Sequence, residues 1–469
     1  MSSSTTHCKP TVGLLPLYLQ LYDDRMPERR AMFDGFMRDI ESGLSAQGMS
    51  VHSGDVCRKA HEVAAALDLF GQNGVDVIVT LHLAYSPSLE SAPLLAASPL
   101  PVVLLDTTMD PGFGQGTEPD RIMYNHGIHG VMDLASVLRR RGKPFTVVAG
   151  HPESSSVLDR TAEAIRAAWA ANLLKTTKAL RVGPSFDGMG DFSVEEDVLR
   201  RVLGIDVTEV SPKALAEAVL SVTSAEAEDE MELDRARFAC SICEDVHCRS
   251  VKVGLGLRKM LTEGAFTAVS ANFLAFDSPV PPVNTVPFLE LSKGMARGIG
   301  YGGEGDVLTA ALVGALATAF TDVTFSEIFC PDWRGGSLFI SHMGEINPTV
   351  AAEKPDLIEK PFPFTNALNP AVITCAPRPG PAVFVNLVPG PADTFSLVVA
   401  PMDVLGDTTN EEMRGAVRGW IKPACPVEDF LERYSQAGGT HHSALVLGER
   451  VDALTAFARH ANLPVVVID

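Results

Sequence analysis

The sequence predicts an α/β protein: doubly wound parallel-sheet N-terminal and central domains, followed by a β-rich (antiparallel or barrel-like) C-terminal domain. Three observations carry this. Continuous apolar runs, of the kind a strand buried on both faces requires, alternate with amphipathic stretches over residues 11–150. Beyond Asp322 short strands punctuated by Pro and Gly replace that alternation. The chain is 469 residues long, and at ~150 residues per domain it has room for three cores. The divisions fall at 1–178, 179–321 and 322–469.

In order along the chain, TVGLLPLYL (11–19) reads as the first buried strand. A helix follows over about Glu28–Leu44, with Met32, Phe33, Phe36, Met37 and Ile40 on one face, and a second amphipathic segment covers His61–Phe70. VDVIVTLHLA (75–84), PVVLLDT (101–107) and PFTVVAG (144–150) are strand-like. Strand, helix and strand in repetition imply parallel pairing with crossover helices, so ligands are expected beyond the carboxyl ends of the strands, near His82, Tyr85 and Ser86. A long helix over Ser154–Lys175 precedes a new unit opening at LRVGPSF (180–186). Helices are expected over 211–233, Asp234–Thr262 and Asp306–Phe320. SLFISHM (337–343), PAVITCAP (370–377), AVFVNLVPG (382–390) and FSLVVAPM (395–402) are the C-terminal strands.

Charge narrows the function. Against 38 Lys and Arg stand 58 Asp and Glu, a net charge of −20, which repels phosphate backbones and anionic membrane surfaces. Nucleic acid and membrane are therefore excluded as partners. The first ten residues lack the layout of a signal peptide, and no stretch reaches the ~18 apolar residues of a membrane helix. Eight scattered cysteines suggest no disulfide framework. The expectation is a cytoplasmic protein with reduced thiols.

Six segments could carry chemistry. Gly298–Asp306 sets Glu304 among dense glycines, which permit close backbone approach to a ligand. A dinucleotide loop needs a preceding strand, whereas 289–297 reads as helical, and a turn capping the helix from Asp306 serves equally well. Thr324–Glu327 puts a carboxylate in an apolar run, costly if buried unless paired, protonated or metal-bound, but cheap on an edge strand facing solvent. His342 stands at a strand end, as a ligand or as a hydrogen-bonded structural residue. Gly438–His442 is a glycine-rich loop with two histidines, of which alternation would send one into a given site. Together these offer two Glu and two His, a set suited to Mn2+ and also to Co2+, Fe2+ or Zn2+. Tyr124–His129 reads as a helix-entry binding loop, or as a helix start capped by Asn125. In Cys240-x-x-Cys243-x4-Cys248, with His247 between, a helix would put 240 and 243 on one face, but no second Cys pair or suitably spaced His lies nearby, and small-residue packing is the simpler reading.

GYGGEGDVLTAAL (300–312), SHMGEINPTVAAEKP (341–355) and AGGTHHSALVLG (437–448), with weaker matches at 81–88, 125–130, 141–151 and 237–273, resemble the L-arabinose isomerase family within the wider L-arabinose/L-fucose isomerase group. The resemblance implies an aldose–ketose isomerase working through a cis-enediol, with a flavodoxin-like first domain and a divalent metal, typically Mn2+. It places the metal ligands on Glu304, Glu327, His342 and His442, with Glu304 and Glu327 also the acid/base pair. The implied sugar contacts are Tyr22, Tyr85, His126, His129, Met189, Phe273 and His441. Two positions depart from the family pattern: Leu19-Gln20-Leu21-Tyr22 stands where it has Gln-x-Leu-Tyr, and His126 where it has Gln. Both imply an altered substrate pocket. The resemblance also implies a homohexamer in which one subunit's front domain completes a neighbour's site. The alternative is a non-catalytic sugar-binding or regulatory protein retaining the fold, but such a protein has no need of the acid/base pair.

Overall fold

The structure is a computed structural model that describes residues 9–469, so Cys8 and most of the N-terminal stretch lie outside the described residues. The described chain divides into two compact units: residues 9–172 with 453–462, and residues 173–452 with 463–469.

The front unit holds strands β1 (Thr11–Leu17), β2 (Ser50–Ser53), β3 (Val77–His82), β4 (Val102–Asp106) and β5 (Phe145–Ala149). They form one parallel sheet in the order β2-β1-β3-β4-β5. That is the doubly wound order with its switch point between β1 and β3, the place where such sheets bind ligands. Every residue of β3 is buried, Thr80 and His82 included, which explains why apolar residues dominate both of its faces. The helix Val451–Ala461 belongs largely to this unit, burying Leu454, Phe457 and His460. His460 Nε2 is hydrogen-bonded to Thr146 of β5 at 3.0 Å.

The second unit begins with β6 (Lys178–Val182), β7 (Asp206–Val210) and the short β8 (Ala239–Ser241), then β9 (Ala268–Ala271) and β10 (Gly300–Gly303). A four-stranded parallel sheet runs β10-β9-β6-β7. β11 (Val323–Asp332) and β12 (Ser337–Ser341) follow, then β13 (Asp356–Glu359), β14 (Ala371–Thr374), β15 (Gly380–Pro389), β16 (Phe395–Val404), β17 (Gly419–Pro423), β18 (His442–Leu447) and β19 (Val465–Val467). β15, β18, β11, β12, β17 and β16 pair antiparallel in a closed ring, since β15 also pairs with β16. β19 adds to the outer part of β16 in parallel. Leu338, Ile340, Phe384, Val398, Ile421 and Leu445 fill the barrel. The expected fold class is therefore the observed one.

Three local expectations are corrected. Asp234–Thr262 is not one helix: helices Ser224–Arg237 and Glu244–Glu263 flank β8, whose backbone pairs with β13. Cys240 accordingly lies in a strand and Cys243 at a helix start, both free and exposed, so they share no helical face. The strand expected over 370–377 lies outside the barrel, in the small sheet β14-β13-β8. Among the described residues no helix is long and apolar enough to cross a membrane.

Candidate active site

Two short stretches of backbone create the centre. The helix Phe288–Met295 is followed by the glycines themselves, which form strand β10. Their flatness is required: a Cβ on Gly302 would lie 2.2 Å from the Asp306 carbonyl oxygen, and one on Gly300 would lie 1.9 Å from that of Ala310. Both atoms belong to the stretch that opens the apolar helix Val307–Phe320, so only glycine lets that helix lie on the strand. At the strand's end Glu304 takes φ +60°, left-handed backbone that a non-glycine residue adopts at a cost of about 1–3 kcal/mol. The turn aims its carboxylate at the barrel.

The barrel supplies the remaining groups by register. Glu327 on β11 lies opposite His442 on β18 and Ser341 on β12, the residue before His342. β11 is thus a central strand, not the solvent-facing edge that the sequence left open. Alternation sends Ile328 toward the barrel core and Phe325 and Glu327 to the outer face.

Glu304, Glu327, His342 and His442 are therefore brought together. His442 Nε2 lies 3.4 Å from Glu304 Oε2, and His342 Nε2 lies 3.9 Å from Glu327 Oε2. Ligand atoms of Glu327, His342 and His442 all fall within 4.8 Å of one another, as do those of Glu304, His441 and His442. Phe325 stands edge-on to both His342 and His442, at centroid distances of 4.7 and 5.1 Å, and Phe192 stacks on His442 at 5.2 Å.

Each of the two inner histidines is held from behind by a carboxylate. His442 Nδ1 is 3.1 Å from Asp306 Oδ2, while Oδ1 of the same Asp306 accepts the Thr309 N–H and caps the helix. His342 Nδ1 is 2.7 Å from the fully buried Glu345, which also accepts from Tyr301 and the Gly344 N–H. Such partners fix the tautomer and leave Nε2 facing inward. Nε2 of His442 is buried with no hydrogen-bond partner, a costly state in an apo protein and the expected one for a metal ligand. Gly303 leaves the room: a Cβ there would sit 3.0 Å from His342 Nε2 and 3.1 Å from His442 Cε1. The residues fit a divalent ion.

The two carboxylates occupy opposite electrostatic settings. Burial would raise both, but the facing His441 and His442 outweigh it at Glu304 and hold that carboxyl well below the usual range. At Glu327 burial prevails over the neighbouring histidines and the carboxyl is raised. His441 and His442 are pushed up to about 10 and about 9, burial being outweighed at His441 by Asp191 and Glu304 and at His442 by Asp306 and Glu304.

His441 also reaches this centre, its Nε2 3.7 Å from Glu304 Oε2. Alternation predicted that only one of the pair would enter. It does not apply, because β18 begins at His442 and His441 is still in the loop. Phe273, 5.7 Å from Phe186 between ring centroids, joins Phe362 and Phe364 in an aromatic cluster. Met189 lies in the 186–192 loop, whose Phe186 N–H donates to the Glu304 carbonyl at 2.9 Å.

In the front unit Tyr22, His126 and His129 form a second cluster. The Tyr22 hydroxyl is 3.1 Å from His126 Nε2, and the His126 and His129 rings are 5.9 Å apart. Burial raises Tyr22 and lowers His126. Tyr85 donates to Asp133, which also accepts from Ser88. Asn125 caps no helix: the helix Ile128–Arg140 starts from Gly127 without a side-chain cap, and Asn125 instead bonds Asp110. His82 is buried against Ser86 and Thr80 and pushed down to about 3 by desolvation. Sequence reasoning missed Asp306 and Glu345 as supports; each sits two or three residues after a ligand candidate, a signal that was available.

Family comparison matches residues 195–321 to the L-arabinose isomerase central domain and 322–464 to the L-arabinose isomerase C-terminal domain. The L-arabinose isomerase of Nocardioides sp. is 26% identical over 363 residues, covering 75% of this chain and 71% of the relative. That of Geobacillus kaustophilus is 28% identical over 366 residues, with 75% and 72% covered. That of Aeromonas salmonicida is 26% identical over 416 residues, with 84% and 81% covered.

Proposed function

The chain belongs to the L-arabinose isomerase family and is an aldose–ketose isomerase, an intramolecular oxidoreductase; from that premise we propose a divalent-metal reaction through a cis-enediol, with Glu304, Glu327, His342 and His442 holding the ion, Mn2+ by preference. The observation that carries the reading is the convergence of these four groups around a buried, unpartnered histidine nitrogen.

The reaction moves hydrogen between C1 and C2 of a sugar. A proton beside a carbonyl is weakly acidic, so the enediolate must be stabilised. A divalent cation held by Glu304, Glu327, His342 and His442 would supply that stabilisation as a Lewis acid. Glu304, whose carboxyl is held low, takes the C2 proton, and Glu327, whose carboxyl is raised by burial, gives a proton to O1. Glu327 then recovers a proton from O2 while Glu304 returns its own to C1, so both groups end as they began. Phe192 and Phe325 keep this exchange out of bulk water.

The substrate is a monosaccharide. L-Arabinose is the sugar named for the relatives, but Leu19–Tyr22 and His126 reshape the front pocket, which opens it to other pentoses, deoxyhexoses, and uronic or sulfonated sugars. Tyr22, Tyr85, His126, His129, Met189, Phe273 and His441 make the sugar contacts. The assembly is a homohexamer in the cytoplasm, with the front cluster acting on a neighbouring subunit's ion.

Metal analysis of the purified protein followed by an aldose panel with Mn2+, read by ketose formation, tests the proposal. One ion per chain and one productive aldose are expected. Full turnover by chelator-treated protein would sink it.

A further inference from the structure

Three histidines, not two, approach the centre, and all three are built alike. His342 is backed by Glu345 at 2.7 Å and His442 by Asp306 at 3.1 Å. His441 is backed by Asp191, whose Oδ2 lies 2.6 Å from His441 Nδ1 and also accepts the His441 backbone N–H at 2.9 Å. Two bonds from one residue to one oxygen fix both the loop and the ring. Nε2 of His441 then points at Glu304 Oε2, 3.7 Å away, beside His442 Nε2 at 3.4 Å from the same oxygen. The neighbour of Asp191, Phe192, contacts both rings, at 5.5 Å from His441 and 5.2 Å from His442. A merely structural surface pair has no reason to copy the orientation of the two inner pairs.

We propose that Asp191 is a positioning residue of the centre, and that it turns His441 into an auxiliary ligand of the divalent ion in the sugar-free protein. This rests on the reading of Glu304, Glu327, His342 and His442 as the ion's primary ligands. Carboxylates behind ligand histidines typically alter metal affinity by about 10–100-fold. A sugar oxygen arriving at the ion competes with this one nitrogen, and the inner pairs stay in place.

The test titrates metal-free protein with Co2+, by calorimetry and visible absorption, for the wild type and for Asp191→Ala, Asp191→Asn, His441→Ala, Asp191→Ala/His441→Ala and His342→Ala. Asp191→Ala and His441→Ala are expected to bind one Co2+ about 10-fold more weakly and to share one altered ligand-field spectrum. The double variant should be no worse than His441→Ala alone, because the two residues act through one nitrogen. Asp191→Asn, which keeps an acceptor oxygen, should recover part of the affinity, and unfolding midpoints of the metal-free proteins should stay together. Wild-type affinity in both single variants overturns the inference. So does weaker binding with an unchanged spectrum, the mark of a structural role, or an additive loss in the double variant. The underlying reading fails separately, if His342→Ala binds Co2+ as tightly as the wild type.

Discussion

Glu304 is placed by its backbone as much as by its neighbours. A left-handed carboxylate at the end of a glycine strand is a local cost of about 1–3 kcal/mol, retained because the turn aims the group at two histidines. Glu304→Gln and Glu327→Gln keep the side-chain shape and remove a proton-transfer group each; ketose formation should fall at least about 100-fold in either, with unchanged circular dichroism. Gly303→Ala fills the space in front of His342 Nε2. It should weaken ion binding by about 10-fold or more while leaving the unfolding temperature within a few degrees, measured by calorimetry. Protonation gives a third test. His441 and His442 are raised, so each holds a proton through neutral pH that a divalent ion must displace. Affinity should therefore rise with pH from 6 to 9, with proton release visible when titrations are repeated in buffers of different ionisation enthalpy. A pH-independent affinity contradicts that charge balance.

Among the elements, the strand register of β18, β11 and β12 is what makes a site of residues more than a hundred positions apart. The sequence made the strands and the glycine turn legible, and family motifs singled out the four central groups. Register was not legible, because alternation says which residues share a face but not which strand lies alongside. The break at β8 escaped for a related reason: 239–241 reads as continuous helix until its partner β13 exists to pair with it. A second hidden feature is the ion network joining helices Ser224–Arg237, Glu244–Glu263 and Phe288–Met295. Lys293 is paired with Glu230 and with Asp234, and Arg258 with Glu230 and Glu290. Lys293→Met removes the cation shared by two buried carboxylates, leaving Glu230 to Arg258 and Asp234 to His247, and should cost about 3 kcal/mol, seen as a lower unfolding temperature. Glu230 is held well below its ordinary value of 4.5, burial being outweighed by Arg258 and Lys293. Its stabilisation is thus complete above pH 4.5 and is lost as pH falls below that, so an acid titration of Lys293→Met should show a shallower decline than the wild type.

For the whole molecule the net charge of −20 speaks to solubility and not to chemistry. Assembly is tested by complementation. If a neighbour's front cluster completes each site, His129→Ala and Glu304→Gln chains, each inactive alone, should regain activity when co-expressed, up to about a quarter of the sites in a random mixture. Zero recovery in co-purified mixed oligomers means that each chain works with its own front unit. One feature bears on how such a chain folds. The front sheet's complement includes residues 453–462, far along the chain, with His460 bonded to Thr146. Some three hundred residues of chain separate the sheet from this helix, whose Leu454 and Phe457 are buried. Completion of this unit therefore rests on a contact between distant parts of the chain, which makes it slower to form than a unit built from local contacts.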